Sequence, residues 1–470
     1  MKKFKIYCGG EFIETSNTLD VVNPYDNEVF ANTYYASTED LERAIAKAQS
    51  IQLQMQLLPS YKRYEALKYI SDTLKERIDY FAEILAMESG KPMKYAKGEI
   101  MRSVQTFLVA AEECKRLPAE VMSLDWTPAG EGKHGVIRYF PVGLVAGIAP
   151  FNFPMNLAVH KLAPAIAAGC PIILKPSTNT PLSTLALAQI IDDTDLPKGA
   201  VSILPMDRKT GNQLVTDDRF KLLSFTGSPD VGWMMKANAG RKKVVLELGG
   251  NAGMVITKTA DLQKAVSTAV IGGFAYSGQV CIHAQRIYVA QEIFDDFSKQ
   301  FVTQVNKLKL GNPMDIDTQI SSMIDEANAK RVEAWVDEAV ADGAKIICGG
   351  KREGTYYHPT VLIDTKPKMK VCALEVFGPV VTLEPFKDFE EAIAEVNNSE
   401  FGLQAGIFTN DIREMDYAFE RLHVGGVIIN DSPIFRVDHM PYGGVKDSGL
   451  GREGIKYAIM DMMEAKILVR

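Results

Sequence analysis

The stretch that decides the fold runs from Gly143 to Gly250, where short apolar segments alternate with longer segments of helical spacing. The apolar segments are "GLVAGIAP" (143–150), "PIILKPS" (171–177), "AVSILPM" (200–206), "KLLSFTG" (221–227) and "KVVLELGG" (243–250). Between them lie "NLAVHKLAPAIAAG" (156–169), "PLSTLALAQIIDD" (181–193) and "DVGWMMKANAG" (230–240). Continuous apolar strands joined by helical crossovers predict a parallel sheet covered by helices on both faces.

A second run of the same kind begins near residue 252. Its apolar segments are "AGMVITK", "RIYVA", "YYHPTVLID", "PVVTLEPF" and "GGVIIND", with helical segments between them. The pattern therefore predicts two α/β units in tandem, with a boundary near Gly249 and Gly250. Upstream, residues 60–92 have apolar positions at helical spacing, which Gly90 and Pro92 should bring to an end.

Composition and charge narrow the class of protein. A chain of 470 residues is long enough for about two or three domains. It is 46% hydrophobic and 24% charged, as soluble globular proteins are. Its net charge is -7, and no run of Lys and Arg residues is long enough to predict a nucleic-acid-binding surface. The apolar segments are broken by proline and too short to span a membrane. The first residues are not followed by the apolar region of a secretory signal peptide. The six cysteines are scattered along the chain, which predicts a reduced, cytoplasmic protein.

The segment "GQVCIHAQR" (278–286) raises the question of what Cys281 does. Three interpretations are open: a buried apolar thiol, a metal ligand together with His283, or a nucleophile presented by a glycine-rich turn. The other histidines and cysteines have no paired ligand spacing, so the sequence disfavours a metal site. We therefore expect no bound metal.

The segment "GLGREG" (449–454) formally matches the dinucleotide motif G-x-G-x-x-G. That motif needs a preceding strand, a following crossover helix with a second strand, and an acid about 20 residues further on. Only 16 residues follow Gly454. We therefore predict a glycine-rich turn into a C-terminal helix.

Four other stretches place polar side chains just beyond predicted strands, where open α/β sheets have their sites. They are "PFNFP" with Asn152 held between prolines, "LKPST" with Lys175 and two hydroxyls, "SFTGSPDVG" with Ser228 as a helix N-cap, and "LELGGN" with Glu247. Taken singly, each has a plain structural explanation as a turn residue, a solvated charge, a helix cap or a surface acid. Their occurrence in order, followed by Cys281, favours a shared cleft.

Taken together, the motifs of this chain resemble the aldehyde dehydrogenase superfamily. The matching segments are "PFNFP", "ILKPS", "SFTGS", "ELGGN", "GQVCIHAQR", "PTVL", "EVFGPV" and "MPYGGVKDSGLGREG". The resemblance implies an α/β fold of two tandem Rossmann-like parallel-sheet domains with a small β extension. A cofactor domain would take residues 1–120 and 142–247, a catalytic domain 248–450, and an oligomerisation extension 121–141 and 451–470. Its exposed strand edges would need a partner, which implies a homodimer or homotetramer.

The resemblance also implies a mechanism. Cys281 would attack the aldehyde carbon as a thiolate. The Asn152 side-chain amide and the Cys281 backbone N–H would stabilise the oxyanion of the thiohemiacetal. Hydride transfer would leave a thioester on Cys281, and Glu247 would act as general base on the hydrolytic water to release a carboxylate.

For the coenzyme, NAD or NADP, the resemblance assigns Lys175 and Ser177 to the adenosine side, Ser228 to the pyrophosphate, Glu375 to the nicotinamide ribose and Phe377 to the ring. It also assigns Pro150, Phe151, Thr178, Gly227 and Leu248 to the coenzyme site. Relatives selective for NAD often have a glutamate where this chain has Thr178, so a neutral residue there permits NADP and leaves NAD open. Arg208, in the divergent segment "LPMDRKTG", has two interpretations: a contact with a 2′-phosphate, or a solvated arginine.

The segment "NDSPIFRVDHMPYGG" resembles a branch that acts on small oxygenated or anionic aldehydes, such as lactaldehyde, phosphonoacetaldehyde and succinate semialdehyde. Arg436 could pair with a carboxylate, phosphonate or sulfonate, with Arg102 and His160 assisting from flanking helices. A structural salt bridge is the alternative for all three residues. The aldehyde itself stays open.

Rival functions also stay open. A CoA-acylating relative would pass the acyl group to CoA, but that branch usually lacks a base such as Glu247. A thiol hydrolase with a Cys–Glu–Lys site would not explain Glu375. A non-enzymatic structural protein on this fold would be expected to have lost a catalytic residue, and all three are present. An interaction module is distinguished by Cys281→Ser, which should keep binding but abolish turnover if the chain is an enzyme.

Overall fold

The computed structural model describes residues 2–470. Its helices are α1 (Thr38–Ser50), α2 (Gln52–Leu57), α3 (Ser60–Glu76), α4 (Ile78–Ser89), α5 (Met93–Glu113), α6 (Asn156–Ala168), α7 (Leu182–Asp192), α8 (Arg208–Gly211), α9 (Gln213–Thr216), α10 (Pro229–Asn238), α11 (Leu262–Phe274), α12 (Phe294–Val305), α13 (Glu326–Ala341), α14 (Lys370–Ala373), α15 (Phe389–Asn397), α16 (Ile412–Arg421) and α17 (Ile455–Asp461).

The strands are β1 (Lys2–Lys3), β2 (Ile6–Cys8), β3 (Glu11–Ile13), β4 (Thr18–Val22), β5 (Val29–Tyr34), β6 (Ala119–Ser123), β7 (His134–Pro141), β8 (Val145–Ile148), β9 (Ile172–Lys175), β10 (Val201–Ile203), β11 (Leu222–Thr226), β12 (Lys243–Glu247), β13 (Gly253–Ile256), β14 (Arg286–Ala290), β15 (Lys345–Cys348), β16 (Arg352–Glu353), β17 (Tyr356–Tyr357), β18 (Thr360–Ile363), β19 (Val380–Phe386), β20 (Phe401–Gly402), β21 (Gln404–Phe408), β22 (Gly426–Ile429), β23 (Val445–Lys446), β24 (Gly449–Leu450) and β25 (Met463–Val469).

The predicted strands between residues 143 and 250 form one sheet in the order β24-β12-β11-β8-β9-β10-β2-β3. Strands β12, β11, β8, β9 and β10 run parallel, as their apolar sequences predict, and antiparallel strands flank them on both sides. The register pairs Ile148 with Lys175 and Thr226 with Glu247. The carboxyl ends of these strands therefore lie at one edge of the sheet.

The second run of strands forms a separate sheet in the order β15-β18-β19-β14-β13-β21-β22, parallel except for β15. The segment Gly249–Ala252 connects the end of β12 to the start of β13, so the amino edge of this sheet faces the carboxyl edge of the first. A third sheet, β25-β7-β6, is antiparallel and joins the C-terminal strand to residues 119–141. The α/β fold class is thus confirmed.

Separate apolar cores lie under the two parallel sheets. Helix α17, near the C-terminus, contributes Ile455 and Ile459 to the first core. A small cluster between the cores contains Tyr276, Val280 and Tyr442 and packs against Cys281. The domain boundaries stay a prediction, but the site falls where the two sheets meet.

Three local expectations need revision. The helical segment 60–92 forms two helices, α3 and α4, which are separated at Arg77. The predicted end of the segment is correct, because Gly90 ends α4 in a left-handed conformation with φ of 66°. Strand β21 was not predicted, although its apolar residues are fully buried. Ser228 occupies the N-cap position of α10, but within the described residues its side chain forms no capping hydrogen bond.

No helix within residues 2–470 has both the length and the apolar character needed to cross a membrane.

Candidate active site

A cleft of about 660 Å³ lies between the carboxyl edge of the first sheet and the loops of the second. It brings together most of the residues assigned from the sequence: Pro150, Phe151, Asn152, Lys175, Ser177, Thr178, Gly227, Ser228, Leu248, Cys281, Glu375 and Phe377. These side chains come from segments up to 227 residues apart in the sequence, from Pro150 to Phe377. Sites of this size and composition are typical of cofactor clefts.

The loop before Cys281 has an unusual backbone that requires glycine at one position. Tyr276, Ser277 and Gly278 all have positive φ, at 50°, 52° and 68°. A Cβ on Gly278 would lie 2.1 Å from the Gly378 carbonyl oxygen, so any side chain there would displace the loop. The Ser277 hydroxyl donates to the Ser321 carbonyl at 2.7 Å, which fixes the turn. The sequence motif before the cysteine therefore encodes a rigid presentation of Cys281.

Cys281 lines the cleft and is half-buried. Its Sγ is 3.1 Å from the Tyr442 hydroxyl. Burial raises the pKa of the Cys281 thiol to about 11, while the hydrogen bond from Tyr442 opposes that rise. In the coenzyme-free protein at neutral pH, the thiol form therefore predominates.

Asn152 is held from both ends beside Cys281. Its Nδ2 donates to the Gln279 carbonyl oxygen at 3.0 Å, and its own backbone carbonyl accepts a hydrogen bond of 2.7 Å from Lys91 Nζ. The second N–H of the Asn152 amide is not needed for that contact. Among residues 2–470, the Cys281 backbone N–H has no hydrogen-bond acceptor. The cleft thus offers two donors for an oxyanion: the second N–H of Asn152, whose side chain is hydrogen-bonded to the residue two before Cys281, and the Cys281 backbone N–H.

Glu247 ends strand β12 and is buried at 3% exposure. Within the described chain, neither of its carboxylate oxygens has a hydrogen-bond partner. Burial, reinforced by the negative charge of Glu453, raises the pKa of Glu247 well above the ordinary carboxyl value. A buried, unpartnered carboxyl group with a high pKa is the kind of group that enzymes use as a general base.

Glu375 lines the cleft at a position where only glycine fits on the facing loop. The Gly250 N–H donates to Glu375 Oε1 at 2.9 Å, and a Cβ on Gly249 would lie 2.4 Å from the other carboxylate oxygen. Burial raises the pKa of Glu375 to about 7, opposed by the Gly250 N–H. The rings of Phe151 and Phe377 meet edge to face at 5.7 Å.

The outer part of the cleft has the groups that a dinucleotide needs. Lys175, Ser177 and Thr178 line it beyond β9, and the uncapped start of α10 at Ser228 offers backbone N–H groups to an anion. Exposed Arg208 belongs to α8, whose Gly211 packs against the Lys175 side chain. These residues fit a nicotinamide dinucleotide, with hydroxyl, amide and carboxylate groups along its length.

The three residues predicted to read the substrate, Arg436, Arg102 and His160, form a charged network with internal partners. Arg436 donates to Glu453 at 2.8 Å and stacks 3.7 Å from the Tyr442 ring centroid. Arg102 makes two hydrogen bonds to Asp438, at 2.7 and 3.3 Å. His160 Nε2 lies 2.8 Å from Asp438 Oδ1. The structural salt bridge weighed as the alternative is therefore present, next to the cysteine.

Sequence reasoning missed the partners of these residues. Glu453 lies in "GLGREG", which the sequence predicted to be a turn before a helix. The turn is present, since α17 follows it. The same motif also supplies the buried carboxylate of Glu453. Lys91 was not singled out, and Tyr442 appeared only as part of a motif. Trp335 and Arg331 line the cleft from α13, whose ordinary amphipathic pattern gives no signal.

His283, the other half of the metal interpretation, is buried, and its Nε2 lies 2.8 Å from the Gly273 carbonyl oxygen. Burial lowers the pKa of His283 to about 4, so the ring is neutral. Within residues 2–470, no group of three His, Cys, Asp or Glu side chains is arranged to hold a metal ion.

Comparison with known proteins adds a consistent picture. The model of the aldehyde dehydrogenase family matches residues 12–468. The chain is 44% identical to a 3-sulfolactaldehyde dehydrogenase of Priestia megaterium, covering 100% of this chain and 98% of the relative. It is 40% identical to a lactaldehyde dehydrogenase of Methanococcus aeolicus, covering 99% of each chain.

Solved structures agree. Aldehyde dehydrogenase 21 from Physcomitrella patens, in complex with its reaction product succinate, superimposes with a TM-score of 0.98 at 47% identity, covering 100% of this chain and 98% of that one. A glyceraldehyde-3-phosphate dehydrogenase from Methanocaldococcus jannaschii complexed with NADP has a TM-score of 0.92 at 40% identity, covering 96% and 98%. A betaine aldehyde dehydrogenase from Staphylococcus aureus with NAD+ has a TM-score of 0.95 at 32% identity, covering 99% and 97%.

Proposed function

The chain belongs to the aldehyde dehydrogenase family and is an NAD(P)-dependent aldehyde oxidoreductase, and from this premise we propose that it oxidises a small anionic or oxygenated aldehyde to its carboxylate through a thioester on Cys281. The overall reaction converts aldehyde, water and oxidised coenzyme into carboxylate, reduced coenzyme and two protons. The observation that carries the proposal is the placement of Cys281 and Asn152 in a coenzyme-sized cleft, with the unpartnered carboxyl group of Glu247 close enough to raise the pKa of the Cys281 thiol.

In the first step Cys281 loses its thiol proton to solvent, and its sulfur forms a bond to the aldehyde carbon. The carbonyl π electrons move to oxygen, where the Asn152 amide and the Cys281 N–H donate to the oxyanion. Because Gln279 and Lys91 already fix Asn152, that donor needs no reorganisation during the reaction.

When bound, a nicotinamide coenzyme would supply the hydride acceptor that the oxidation of the aldehyde requires. On the protein, Lys175 and Ser177 would hold the adenosine side, the start of α10 at Ser228 the pyrophosphate, and Glu375 the nicotinamide ribose. Phe377, with Phe151 against it, would limit the position of the ring.

Glu247 completes the cycle as the base for hydrolysis. Its ionised carboxylate accepts a proton from water, whose oxygen bonds to the thioester carbon, and the C–S bond then breaks with its electron pair returning to Cys281. The absence of any fixed partner for Glu247 within the described residues leaves its oxygens able to bind that water.

An absorbance assay at the reduced-nicotinamide band tests this proposal. A panel of small aldehydes, including sulfonated, carboxylated and neutral members, is crossed with NAD and NADP, with and without CoA. Carboxylate formation independent of CoA is the expected result. Reduction that requires CoA would support the acylating alternative, and a lack of reduction with every aldehyde would contradict the proposed substrate class.

Arginine side chains beside Cys281 support an anionic aldehyde. Arg436 lies close enough to act on the charge of the sulfur, and Arg102 belongs to the same charged network. Asp438 and Glu453 pair with these arginines, and burial lowers the pKa of His160, so the imidazole adds no positive charge at neutral pH. The two arginines agree with the acidic compounds named for the relatives, a sulfolactaldehyde and succinate.

Arg102→Gln tests whether Arg102 binds the anionic group of the substrate. Arg102 is 29% exposed, so it can reach a ligand, whereas removal of Arg436 would leave Glu453 buried without its closest cation. We expect the KM for an acidic aldehyde to rise roughly tenfold, about 1.4 kcal/mol, with little change for propanal. Steady-state kinetics with both substrates measure this, with exposed Arg413→Gln as control. Equal effects on both substrates would contradict the assignment.

We also propose that NADP is accepted at least as well as NAD. Thr178 lines the cleft as a neutral residue beside Ser177, and Arg208 is available on α8. Without a carboxylate at this position, a ribose 2′-phosphate meets no repulsion, while the ribose 2′-hydroxyl of NAD can still donate to the threonine oxygen.

Thr178→Glu should therefore discriminate between the coenzymes. The introduced carboxylate repels a 2′-phosphate, so the KM for NADP should rise at least about tenfold relative to that for NAD. Exposed Asn179→Glu is the matched control, because it adds the same charge one residue away. An unchanged ratio of the two KM values would show that the 2′-position lies elsewhere.

The exposed third sheet and the loop within it support the further proposal that the chain works as a homodimer or homotetramer, which we place in the cytoplasm because its cysteines are few and unpaired. Strand β6 is exposed along its whole length, and Val121, Trp126 and Leu468 are 79%, 88% and 59% exposed. Apolar side chains and an unpaired strand edge of this kind favour burial against another copy.

A further inference from the structure

We propose that Tyr442 is a further catalytic residue: its hydroxyl donates a hydrogen bond to the sulfur of Cys281 whenever that sulfur carries negative charge. The inference rests on the proposed role of Cys281 as the nucleophile. It assigns to this chain a direct contact on the reacting atom that the catalytic trio does not include.

The contact is fixed by tertiary structure. Tyr442 Oη lies 3.1 Å from Cys281 Sγ, within hydrogen-bond reach for sulfur. The Tyr442 side chain is 3% exposed and packs in the small apolar cluster with Val280 and Leu403. The backbone of Tyr442 forms two hydrogen bonds with the backbone of Glu453, which fix the position of the Tyr442 side chain relative to Cys281. The hydroxyl is therefore held at the sulfur.

The proton of the phenol stays on oxygen. Burial raises the pKa of Tyr442 well above its usual value, and the neighbouring Cys281 adds to that rise. A neutral phenol beside a thiolate can only act as the donor, because the thiolate has no proton to give. Such a hydrogen bond to an ionised group is stronger than one between neutral groups.

Arg436 is a positioning residue that acts through Tyr442. Its guanidinium carbon lies 3.7 Å from the centre of the Tyr442 ring, and its Nη2 is fixed by Glu453 at 2.8 Å. A cation over the face of a phenol draws electron density from the ring, which makes the O–H group a better donor. The same arginine also places positive charge near the sulfur.

The groups around the Cys281 sulfur have opposing effects on its pKa, and the Tyr442 hydroxyl is one of the few that lower it. Besides burial, the groups that act most strongly on the charge of Cys281 are Tyr442, Glu375, Arg436 and Glu247. Both carboxyl groups raise the pKa of the Cys281 thiol, as does burial, whereas the phenol and the guanidinium oppose them. The pair Tyr442–Arg436 is thus the part of the site that favours the thiolate.

The hydrogen bond from Tyr442 stabilises the Cys281 thiolate in two steps of the reaction, nucleophilic attack and thioester hydrolysis. Before attack, it stabilises the thiolate whose lone pair forms the S–C bond. During hydrolysis, the C–S bond breaks and its electron pair returns to sulfur, while the proton from water is held on Glu247. The phenol then donates to the departing thiolate and keeps its own proton throughout.

The test compares Tyr442→Phe with the wild type by alkylation of the coenzyme-free protein with iodoacetamide. Labelling of the peptide containing Cys281 is followed by mass spectrometry between about pH 7 and 9, where the rate reports the thiolate fraction. We expect a roughly tenfold slower rate in the variant, equivalent to a rise of about one pH unit in the midpoint. Tyr457→Phe, on the exposed face of α17, should react as the wild type does.

Other outcomes would overturn the inference. Alkylation of Tyr442→Phe at the wild-type rate would show that the hydroxyl does not stabilise the thiolate. If that rate is unchanged while the KM for the aldehyde rises, the hydroxyl contacts the substrate instead. These results are separable from failure of the proposed function, which would appear as undiminished turnover in Cys281→Ser.

Arg436→Lys probes the second link, since it keeps a cation near Glu453 but removes the planar group stacked on the ring. If Arg436 acts through Tyr442, this change should slow alkylation of Cys281 in the wild-type background and have little further effect in Tyr442→Phe. Equal slowing in both backgrounds would contradict the role of Arg436 as a positioning residue.

Discussion

Replacing Cys281 by serine should abolish aldehyde-dependent reduction of the coenzyme, with kcat/KM falling by at least about 10³-fold. The serine oxygen would occupy nearly the same place beside Asn152 and Tyr442, so the cleft and its donors persist. A hydroxyl, however, is far less acidic than a thiol and is a poorer leaving group when the acyl group is released. The expected loss is therefore chemical, with binding of the coenzyme retained.

Two measurements separate chemistry from folding in Cys281→Ser. Trp335 lines the cleft, so quenching of its fluorescence should report coenzyme binding in the variant and the wild type alike. Acid-quenched wild-type protein should carry an acyl adduct on the peptide containing Cys281. Cys348→Ser, in strand β15, serves as the matched control and should keep full activity. Undiminished turnover in Cys281→Ser, or an adduct on another residue, would contradict the thioester mechanism.

The Glu247→Gln substitution should stop the cycle after the first turnover. Glutamine has nearly the same shape but cannot accept a proton from water, so the thioester should form and persist. Loss of a general base typically costs about 10²–10⁴-fold in rate. We expect a burst of reduced coenzyme close to one equivalent per active site, followed by a steady rate lower by that factor.

The pH profile of kcat supplies a second readout for Glu247. Below its pKa the carboxyl is protonated and cannot act as a base, so kcat should fall as the pH is lowered through that value. Because burial and Glu453 raise the pKa of Glu247, this fall should occur at a higher pH than for an exposed carboxyl. The acidic limb should vanish in Glu247→Gln. A variant without a burst, or with an unchanged acidic limb, would assign the base to another group.

Much of the fold follows from local sequence. The apolar segments between Gly143 and Gly250 predict the parallel strands β8 to β12, because a strand covered on both faces must be apolar at consecutive positions. Gly90 predicts the end of α4 for an equally local reason, since it takes up positive φ at little cost. Arg77, where the helical segment 60–92 divides, has no comparable signal in its neighbours.

The catalytic trio was also accessible from the sequence, through motif resemblance. Asn152, Glu247 and Cys281 each follow or end a recognisable segment. In the structure Asn152 and Cys281 line the cleft, and Glu247 lies near enough to raise the pKa of the Cys281 thiol. Their roles stay a proposal. The parallel register aligns the ends of β8, β11 and β12, which places Asn152 and Glu247 at the same edge of the first sheet. Cys281 comes from the loop before β14 and reaches this edge only through the packing of the second sheet against the first.

The charged network beside the trio was decided only by the tertiary structure. Arg102 and Asp438 are 336 residues apart in the chain, and His160 and Asp438 are 278 apart. No periodicity or turn signal connects such positions, because these signals extend over only a few residues. The sequence could therefore suggest Arg436 and Arg102 as cations without showing that Glu453 and Asp438 would pair with them.

The sequence alone thus determined the parallel-sheet class, the cysteine-presenting turn and the candidate nucleophile, donor and base. The tertiary structure decided which group touches the sulfur, which carboxylates accept the arginines, and which edge strands complete each sheet. The physical reason is one of range: backbone preferences and apolar periodicity act between near neighbours in the chain. Ion pairs, burial and pKa values depend instead on which distant segments the folded chain packs together.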